Sequence, residues 1–373
     1  MARRVQVAAV SCRRDSPSGI ACNGQHELMF APSDKTRLLD APTVEALPAG
    51  TSRPLISVMI PVYNSTEYLR ETLASVLSQD LGPRDMEIEI LDNCSTKGHP
   101  DEIAAEMGRG RIGFHRHQAN IGAIENFNSC IRRARGEWVH ILHADDLVAP
   151  DFYARARQAI ACHPSVGAVA FRVTYIDDFG MAIGLSELEA AEAGVLPREF
   201  TWRQLTAQRF QFVGMIVKRA AYEELGAFRP ELPHCADWDM WNRIVVAKQV
   251  YYEPEPLARY RLHSGSDSSQ IFVTAENVRD ERRAIRVSSA YVSERESRRL
   301  IRQAMRLAGG RAARRARLSL ARGDWRVALR QANEALHCSL APAVLARVVY
   351  HMGLATVGQI KANSQRLLKT RRG

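Results

Sequence analysis

The sequence has no glycine-rich phosphate loop and no closely spaced pair of cysteines. No G-x-G-x-x-G pattern follows the first predicted strand and no Walker motif is found, which argues against dinucleotide oxidoreductases and P-loop enzymes. The seven cysteines are scattered without the spacing of zinc ligands or of a redox pair. An odd, dispersed set of this kind is typical of reduced thiols in a cytoplasmic protein.

Long apolar segments are also missing. The run over residues 5–10 is too short for a secretory signal. The nearest approach to a membrane span, residues 340–358, contains Arg347, and an arginine at mid-helix costs about 2.5–3.5 kcal/mol on insertion scales. Arg347 and His351 share one helix face, which predicts an amphipathic helix on the membrane surface or a solvated helical extension. We expect a cytoplasmic protein with a place at the inner face of the membrane.

Positive charge is concentrated at one end of the chain. Residues 276–373 hold 22 Lys and Arg against 7 Asp and Glu, a net charge of +15, whereas the whole chain carries +10. Their Arg-rich pattern predicts a basic α-helical extension over residues 275–373 that could associate with anionic lipid. Few aromatics are interleaved with the arginines, so a nucleic-acid partner is not expected. Residues 1–53, rich in small and polar residues without a sustained period, are predicted to be a largely disordered arm.

The sequence does contain an apolar run that ends near two adjacent carboxylates. Residues 138–142 have the length and β-branched content of a short buried strand, and Asp145 and Asp146 follow closely. Ionised carboxylates at the end of a buried strand are costly unless something neutralises them. Hard oxygen ligands suit Mg²⁺ or Mn²⁺, so this segment indicates a metal site, although an Asp pair can also open a turn or cap a helix.

Two further predicted strands end in polar turns. Residues 55–62 run into the turn that begins at Tyr63, and residues 87–91 end at Asp92. The helical patterns between the strands predict an α/β fold with a doubly wound, mostly parallel sheet. Right-handed crossovers bring the carboxyl ends of parallel strands to one edge, so we expect Tyr63, Asp92 and the Asp145–Asp146 pair to share one crevice.

Eight short motifs follow one another along the chain. They are I-S-V-M-I-P-V-Y-N, I-L-D-N-C-S-T, N-I-G-A, A-R-G-E-W-V, H-A-D-D-L-V-A-P, G-A-F, A-D-W-D-M-W and R-Y-R-L-H. In this order they resemble the family 2 glycosyltransferases of the GT-A fold, over roughly residues 55–265. The resemblance implies a GT-A catalytic domain over residues 54–270, followed by the C-terminal helical extension.

The resemblance implies how a nucleotide and a cation would be held. Asp92 would bond the N–H edge of the base, which suits a uracil-type imide, and Tyr63 with the Pro61 backbone would lie against the nucleotide. Asp146 would coordinate Mn²⁺ or Mg²⁺, while Asp145 would bond the ribose or support the cation. From the residues alone, Asp92 is equally well explained as a turn residue and Tyr63 as a core aromatic.

The sequence departs from the family pattern at two positions. His143 stands where many relatives carry an acid, which leaves one carboxylate fewer for the cation. Ala236 stands where a Glu is commoner, just before Asp237, the residue that matches the family's general base. From local sequence Asp237 could instead cap the helix predicted over residues 238–247. His263 resembles a late histidine of the family that approaches the metal or the diphosphate.

Two weaker assignments complete the predicted site. Asn120 and Asn128 occupy positions where relatives keep a nucleotide-side loop and helix, although either residue could belong to a turn or a cap. Residues 210–215, together with Trp202, are predicted to form an acceptor-side wall or else part of the core.

Together these roles predict a metal-dependent, inverting transfer of one sugar. The expected donor is a nucleotide diphosphate sugar, with UDP favoured, and the expected acceptor is a glycan or lipid-linked hydroxyl in surface polysaccharide or glycoconjugate synthesis. The Q-x-x-R-W motif of polysaccharide synthases is missing, which favours single-sugar transfer. Two alternatives stay open: a nucleotidyltransferase, which would need a glycine- and basic-rich loop after the first strand, and a non-catalytic protein that binds nucleotide sugars or polyanions.

Overall fold

The chain folds around a ten-stranded mixed sheet. The computed structural model describes residues 41–263, 265, 267–350 and 353. In chain order the strands are β1 (Ile56–Val62), β2 (Met86–Asp92), β3 (Gly113–Arg116), β4 (Trp138–Ile141), β5 (Leu147–Val148), β6 (Ala168–Ile176), β7 (Ala182–Leu185), β8 (Gly194–Val195), β9 (Met215–Lys218) and β10 (Val250–Arg261). They lie in the order β3-β2-β1-β4-β9-β6-β10-β5, while β7 pairs with β6 and β8 with β10.

Helices connect the strands and continue after the last one. They are α1 (Leu69–Leu77), α2 (Pro100–Gly108), α3 (Ala123–Arg133), α4 (Phe152–Cys162), α5 (Phe200–Thr206), α6 (Arg219–Leu225), α7 (Ala236–Ala247), α8 (Asp267–Thr274), α9 (Glu276–Ser288), α10 (Glu294–Ala321) and α11 (Trp325–Cys338). Short 3-10 turns, Phe212–Gly214 and Ser289–Tyr291, precede β9 and α10, and residues 342–350 are helical. Within the described ranges, no helix has both the length and the apolar character needed to cross a bilayer.

The four strands at one side of the sheet are parallel, which brings their carboxyl ends to one edge. β1 pairs with β2, so that Val62 lies opposite Asp92, and with β4, so that Met59 lies opposite Ile141. β2 extends the parallel arrangement to β3, and β6 is parallel to β10 beyond the antiparallel strand β9. The predicted α/β fold with a largely parallel central sheet is confirmed. The turns after β1, β2 and β4 therefore leave the sheet at the same edge.

Alternate residues of the central strands enter two different cores. Val58 of β1 belongs to an apolar cluster that includes Phe152 of α4. Its neighbour Met59 belongs to a second cluster, which includes Trp241 of α7. All seven residues of β1 are buried, which explains why this strand is apolar except at Ser57 and does not alternate apolar with polar side chains.

The C-terminal helices share a core with α7 and do not form a separately packed extension. Ile285 of α9 and Ala304 of α10 lie in the same apolar cluster as Trp241. A buried hydrogen bond adds to this packing, because Asn242 Nδ2 of α7 donates to Ser288 Oγ of α9 at 2.8 Å. The boundary predicted between residues 270 and 275 falls at the end of α8, and helices that follow it pack onto the sheet domain.

The arm predicted over residues 1–53 requires correction at its end, which is packed against the domain. Ala41 is buried, and the Pro42 carbonyl accepts a hydrogen bond from the Ala227 N–H at 2.7 Å. Gly226 has a φ of +80°, and a Cβ there would lie 2.7 Å from the Cβ of Ala41. Both facts make glycine necessary at this contact. The first forty residues of the arm lie outside the described part of the chain.

We expect a chain truncated after Thr274 to lose its cooperative thermal transition, because the truncation exposes the cluster shared by α7, α9 and α10. A chain truncated after Ser339 keeps these helices and should still melt cooperatively. Near-ultraviolet circular dichroism recorded during heating distinguishes the two chains. A sharp transition in the shorter chain would show that the C-terminal helices are dispensable for folding.

Candidate functional site

Three potential metal ligands meet in the turn after β4. His143, Asp145 and Asp146 each offer one ligand atom, and these atoms lie within 4.8 Å of one another. All four residues of β4 are buried, so the turn begins inside the protein. Two carboxylates and an imidazole suit a divalent cation. From the sequence, His143 was noted only as a position where many relatives carry an acid. In the structure it is part of this ligand cluster.

Asp146 provides the strongest indication of a cation site. Its side chain is fully buried, and Oδ1 accepts a hydrogen bond from the Arg261 N–H at 2.9 Å. Oδ2 is buried and makes no hydrogen bond within the described part of the chain. Burial, together with repulsion from Asp145, raises the pKa of Asp146 well above its ordinary value. A buried carboxylate oxygen without a donor requires a partner, and the residues present fit Mn²⁺ or Mg²⁺.

Asp145 and His263 form a hydrogen-bonded pair beside the ligand cluster. His263 Nε2 lies 3.0 Å from Asp145 Oδ2. Burial acts to raise the pKa of Asp145, but the hydrogen bond from His263 outweighs it, and the pKa is lowered overall. The same hydrogen bond raises the pKa of His263. The cluster of three does not include His263, which was predicted as a metal ligand and contacts the carboxylate of Asp145 instead.

Arg261, the last residue of β10, holds the acidic turn in place. Its buried guanidinium donates to the Asp145 carbonyl at 2.9 Å and to the carbonyls of residues 177–178 at 3.1 and 3.0 Å. It also pairs with Glu71 of α1 at 2.8 Å. Together with its backbone N–H, which donates to Asp146, this side chain fixes the turn relative to α1 and β10.

The residues predicted to contact a nucleotide lie at the ends of β1 and β2. Pro61 is buried, and Tyr63 follows β1 with 45% of its surface exposed, so it is not a core aromatic. Asp92 is fully buried at the end of β2. Its carboxylate accepts the Ser95 N–H at 3.0 Å and pairs with Arg116 Nη1 at 2.7 Å. The present contacts of Asp92 are therefore those of a turn residue and an ion pair.

Asn120 and Asn128 have different environments. Asn120 is exposed, and its Oδ1 accepts from Asn93 Nδ2 at 2.9 Å and from the Gly122 N–H at 2.8 Å, which shapes the loop before α3. Asn128 is fully buried in α3. It donates to the Phe228 carbonyl at 2.9 Å and accepts from the Phe228 N–H at 2.8 Å. Because its side-chain amide hydrogen-bonds the Phe228 backbone, Asn128 has a structural role, and we no longer assign it as a nucleotide contact.

Asp237 lies in the first turn of α7, which begins at Ala236. Its Oδ2 accepts from Gln208 Nε2 at 2.5 Å, and its Oδ1 accepts from the Trp238 N–H at 2.7 Å. Burial raises the pKa of Asp237 to about 7, against the opposing effect of these two hydrogen bonds. Cys235 is the N-cap residue of α7, so the alternative interpretation of Asp237 as a helix cap is wrong. A carboxyl group that titrates near neutrality can take a proton from a substrate hydroxyl.

Two other carboxylates around α7 are structural. Asp239 is fully buried, accepts a hydrogen bond from the Tyr291 hydroxyl and pairs with Arg243 Nη2 at 3.0 Å. Asp280 of α9 accepts the N–H groups of residues 234 and 235 at 2.8 and 2.9 Å. A side chain from the C-terminal helices thus satisfies donors immediately before the helix that carries Asp237.

The chain before β9 connects the ligand cluster with Asp237. The Phe212 ring centre lies 4.7 Å from that of His143, and Gln208, four residues earlier, bonds Asp237. Phe210 and Phe212 are both buried, so the core interpretation holds for these two aromatics of the predicted acceptor-side wall. The segment over residues 208–212 therefore contacts both the ligand cluster and Asp237.

Three residues that shape this site were not predicted from the sequence. Arg261 stood within the R-Y-R-L-H motif, and its position two residues before His263 was the only signal available. Gln208 lies in a stretch without a recognisable pattern. Asp280 lies in an Arg-rich helix, where an acid is expected to form surface ion pairs.

Residues 57–226 match the family model described as glycosyl transferase family 2. A functionally uncharacterised protein of Mycobacterium tuberculosis is 26% identical over 247 residues, which cover 63% of this chain and 75% of the relative. An uncharacterised glycosyltransferase of Rickettsia felis is 24% identical over 223 residues, which cover 58% of this chain but only 36% of the relative. A third relative, an uncharacterised glycosyltransferase of Methanocaldococcus jannaschii, is 27% identical and is covered over 71% of its length.

Two solved structures have the same fold. TarS of S. aureus in complex with UDP-GlcNAc superimposes with a TM-score of 0.56 at 16% identity, over 76% of this chain and 91% of that chain. A mannosyltransferase of Pyrobaculum calidifontis in complex with GDP-Man and Mn²⁺ gives a TM-score of 0.51 at 21% identity, over 87% and 92% of the two chains. Residues 57–226 therefore resemble the family 2 glycosyltransferases, and the chain shares the GT-A fold of these two structures.

Proposed function

We propose that this glycosyltransferase moves one sugar from a nucleotide diphosphate sugar, with UDP favoured, to an acceptor hydroxyl in a metal-dependent, inverting reaction. Asp146 carries the proposal. It is fully buried, its Oδ2 makes no hydrogen bond within the described residues, and it lies in one cluster with Asp145 and His143. A site for a hard cation at the carboxyl end of β4 suits a diphosphate bound at that edge of the sheet.

The donor is proposed to lie along the ends of β1, β2 and β4. Tyr63 offers an exposed ring beside Pro61, and Asn120 lies in the exposed loop before α3. Asp92 keeps acceptor capacity for a uracil imide, since a carboxylate has about four lone-pair sites. The two structural neighbours were solved with UDP-GlcNAc and with GDP-Man, which supports a donor of this class.

The cation is proposed to be Mn²⁺ or Mg²⁺, held by Asp146 with support from His143 and Asp145. When bound, it neutralises diphosphate charge and helps the leaving group to depart. His263 hydrogen-bonds Asp145 and so fixes the orientation of one carboxylate of the cluster. Mn²⁺ in the mannosyltransferase complex supports the same class of ion.

Asp237 is proposed as the general base. Its carboxylate accepts the proton of the acceptor hydroxyl while the hydroxyl oxygen forms a bond to the anomeric carbon. The bond from that carbon to the diphosphate oxygen breaks, and its electron pair leaves with the diphosphate. Attack from the face opposite the leaving group inverts the configuration. Gln208, which donates to Oδ2, orients the carboxylate for this step.

The acceptor is proposed to be a glycan or lipid-linked molecule of surface polysaccharide or glycoconjugate synthesis, met at the inner face of the membrane. Residues 276–373 carry a net charge of +15. Leu345, Val349 and Tyr350 are exposed on the helical segment over residues 342–350. Basic and apolar side chains on one segment favour adsorption to an anionic bilayer, which supports a peripheral association.

We expect Asp146→Ala to abolish the Mn²⁺-dependent part of UDP binding, because the substitution removes the buried oxygen proposed to bind the cation. Calorimetry with UDP, in the presence of Mn²⁺ and then of EDTA, measures this part directly. Asp101→Ala, at an exposed acid in the first turn of α2, is the control and should bind as the parent does. Undiminished Mn²⁺-dependent affinity in Asp146→Ala would contradict the metal assignment.

For Asp237→Asn we expect turnover to fall by roughly 10²–10⁴-fold while donor affinity stays within a few fold, since a base acts in the transition state. Asp239→Asn is the matched variant two residues away. It disturbs a buried ion pair, whose disruption typically costs about 3–5 kcal/mol, and should lower the melting temperature markedly. Turnover, donor affinity and melting are measured for both. Near-normal turnover in a folded Asp237→Asn protein would remove this residue from the mechanism.

The pH dependence of the reaction should also report Asp237. Its pKa of about 7 means that kcat/KM should fall tenfold per pH unit below neutrality, as the base becomes protonated. The folded state raises this pKa above the ordinary 3.8, so stability should decrease as pH rises between about 4 and 7. At pH 8 the uncharged Asp237→Asn protein should therefore melt above the parent. If the remaining activity of Asp237→Asn shows the same fall in kcat/KM below neutral pH, the titrating group is not Asp237.

A further inference from the structure

A cavity lined by arginines lies between α10, the helical segment over residues 342–350 and the chain that follows α5. Its volume is about 360 Å³. The basic residues that line it are Arg209, Arg306, Arg311, Arg314 and Arg347, and the acidic one is Glu187. Guanidinium groups that converge on a concave surface are the usual means by which proteins recognise phosphate.

Two of these arginines are already neutralised by carboxylates. Arg209 pairs with Glu187 and, at 2.7 Å, with Glu189, and Arg311 pairs with Glu281. The lining arginines that form no ion pair with the described residues are Arg306, Arg314 and Arg347. Three solvent-exposed arginines therefore border the cavity without a counter-charge among the described residues, and a group with two or more negative charges would supply one.

Gly310 makes room for one of these guanidinium groups. A Cβ at this position would lie 2.7 Å from Arg347 Nη1. Glycine in a helix interior destabilises the helix by roughly 0.5–1 kcal/mol relative to alanine. The Arg347 guanidinium thus lies close against α10, in the same cavity wall as Arg306 and Arg314.

The cavity shares a chain segment with the hydrogen-bond partner of the proposed base. Ala207 and Arg209 line it, and Gln208 between them donates to Asp237. Successive Cα atoms are about 3.8 Å apart, so the cavity wall and the partner of the base belong to one short segment. The lining residues include none of the proposed donor contacts or metal ligands, so the cavity is separate from the proposed donor site.

We propose that this cavity binds a phosphoryl group of the acceptor, either a phosphodiester or a diphosphate, while the acceptor hydroxyl is presented to Asp237. The inference rests on the proposed function and deepens it by naming the acceptor class. A neutral glycan would leave three guanidinium groups without a counter-charge, whereas a phosphorylated acceptor pairs with them. The remaining contacts of such an acceptor then decide which hydroxyl reaches the base.

The test uses the full chain with Arg306→Gln and Arg314→Gln combined, and inorganic pyrophosphate as the probe. Binding is measured by calorimetry in EDTA at constant ionic strength, so that no cation contributes. We expect the affinity to fall by about tenfold or more, because charge-assisted hydrogen bonds are lost. The matched control combines Arg302→Gln and Arg317→Gln, which remove the same charge from exposed positions of α10 outside the cavity. It should keep the parent affinity.

Equal losses in the two double variants would show a diffuse charge effect and overturn the proposal, as would a parent protein that does not bind pyrophosphate. Sedimentation with phosphatidylcholine vesicles, with and without phosphatidylglycerol, tests the membrane as a different source of phosphate. Vesicle binding that depends on Arg306 and Arg314, without an effect on pyrophosphate, would likewise overturn it. UDP binding with Mn²⁺ is measured in parallel, so that a failure of the proposed donor site is distinguished from a failure of this cavity.

Discussion

The site is organised around the electrostatic problem of holding adjacent carboxylates at the end of a buried strand. Asp146 is fully buried, and Asp145 follows the same buried strand at a distance where the two repel. The protein compensates Asp145 with His263 and the acidic turn with Arg261, but it leaves Asp146 Oδ2 without a hydrogen bond among the described residues. A divalent cation would supply the missing partner of Asp146 Oδ2, and the diphosphate would in turn bind the cation.

The proposed base, Asp237, lies on α7, and this helix is stabilised by the C-terminal helices as well as by the sheet. Asn242 of α7 bonds Ser288 of α9, and Asp280 satisfies the donors just before α7 begins. The C-terminal helices therefore position Asp237 in addition to carrying the positive charge of the chain. The same helices form most of the arginine cavity, so support of the base and recognition of an acceptor would come from one part of the fold.

Local sequence predicted the sheet and the acidic turn well, because both depend on short-range patterns. The largely apolar sequences of β1 and β4 reflect burial on two faces, and the order of the motifs indicated the family that residues 57–226 match. The partners of the site residues were not predictable, since they come from distant segments. Arg261 reaches back to Asp145, and Asp280 reaches back to the start of α7. Asn128 shows the same limit, because local sequence does not reveal that its amide bonds the backbone of Phe228.

Asp146, supported by His143 and Asp145, is proposed to hold a divalent cation at the end of β4. The most direct measurement is anomalous diffraction from a crystal grown with Mn²⁺ and UDP. We expect a manganese peak within coordination distance of Asp146 Oδ2, with the diphosphate of UDP on its other side. A manganese ion bound elsewhere, with Asp146 Oδ2 uncoordinated while UDP occupies the edge of the sheet, would contradict it.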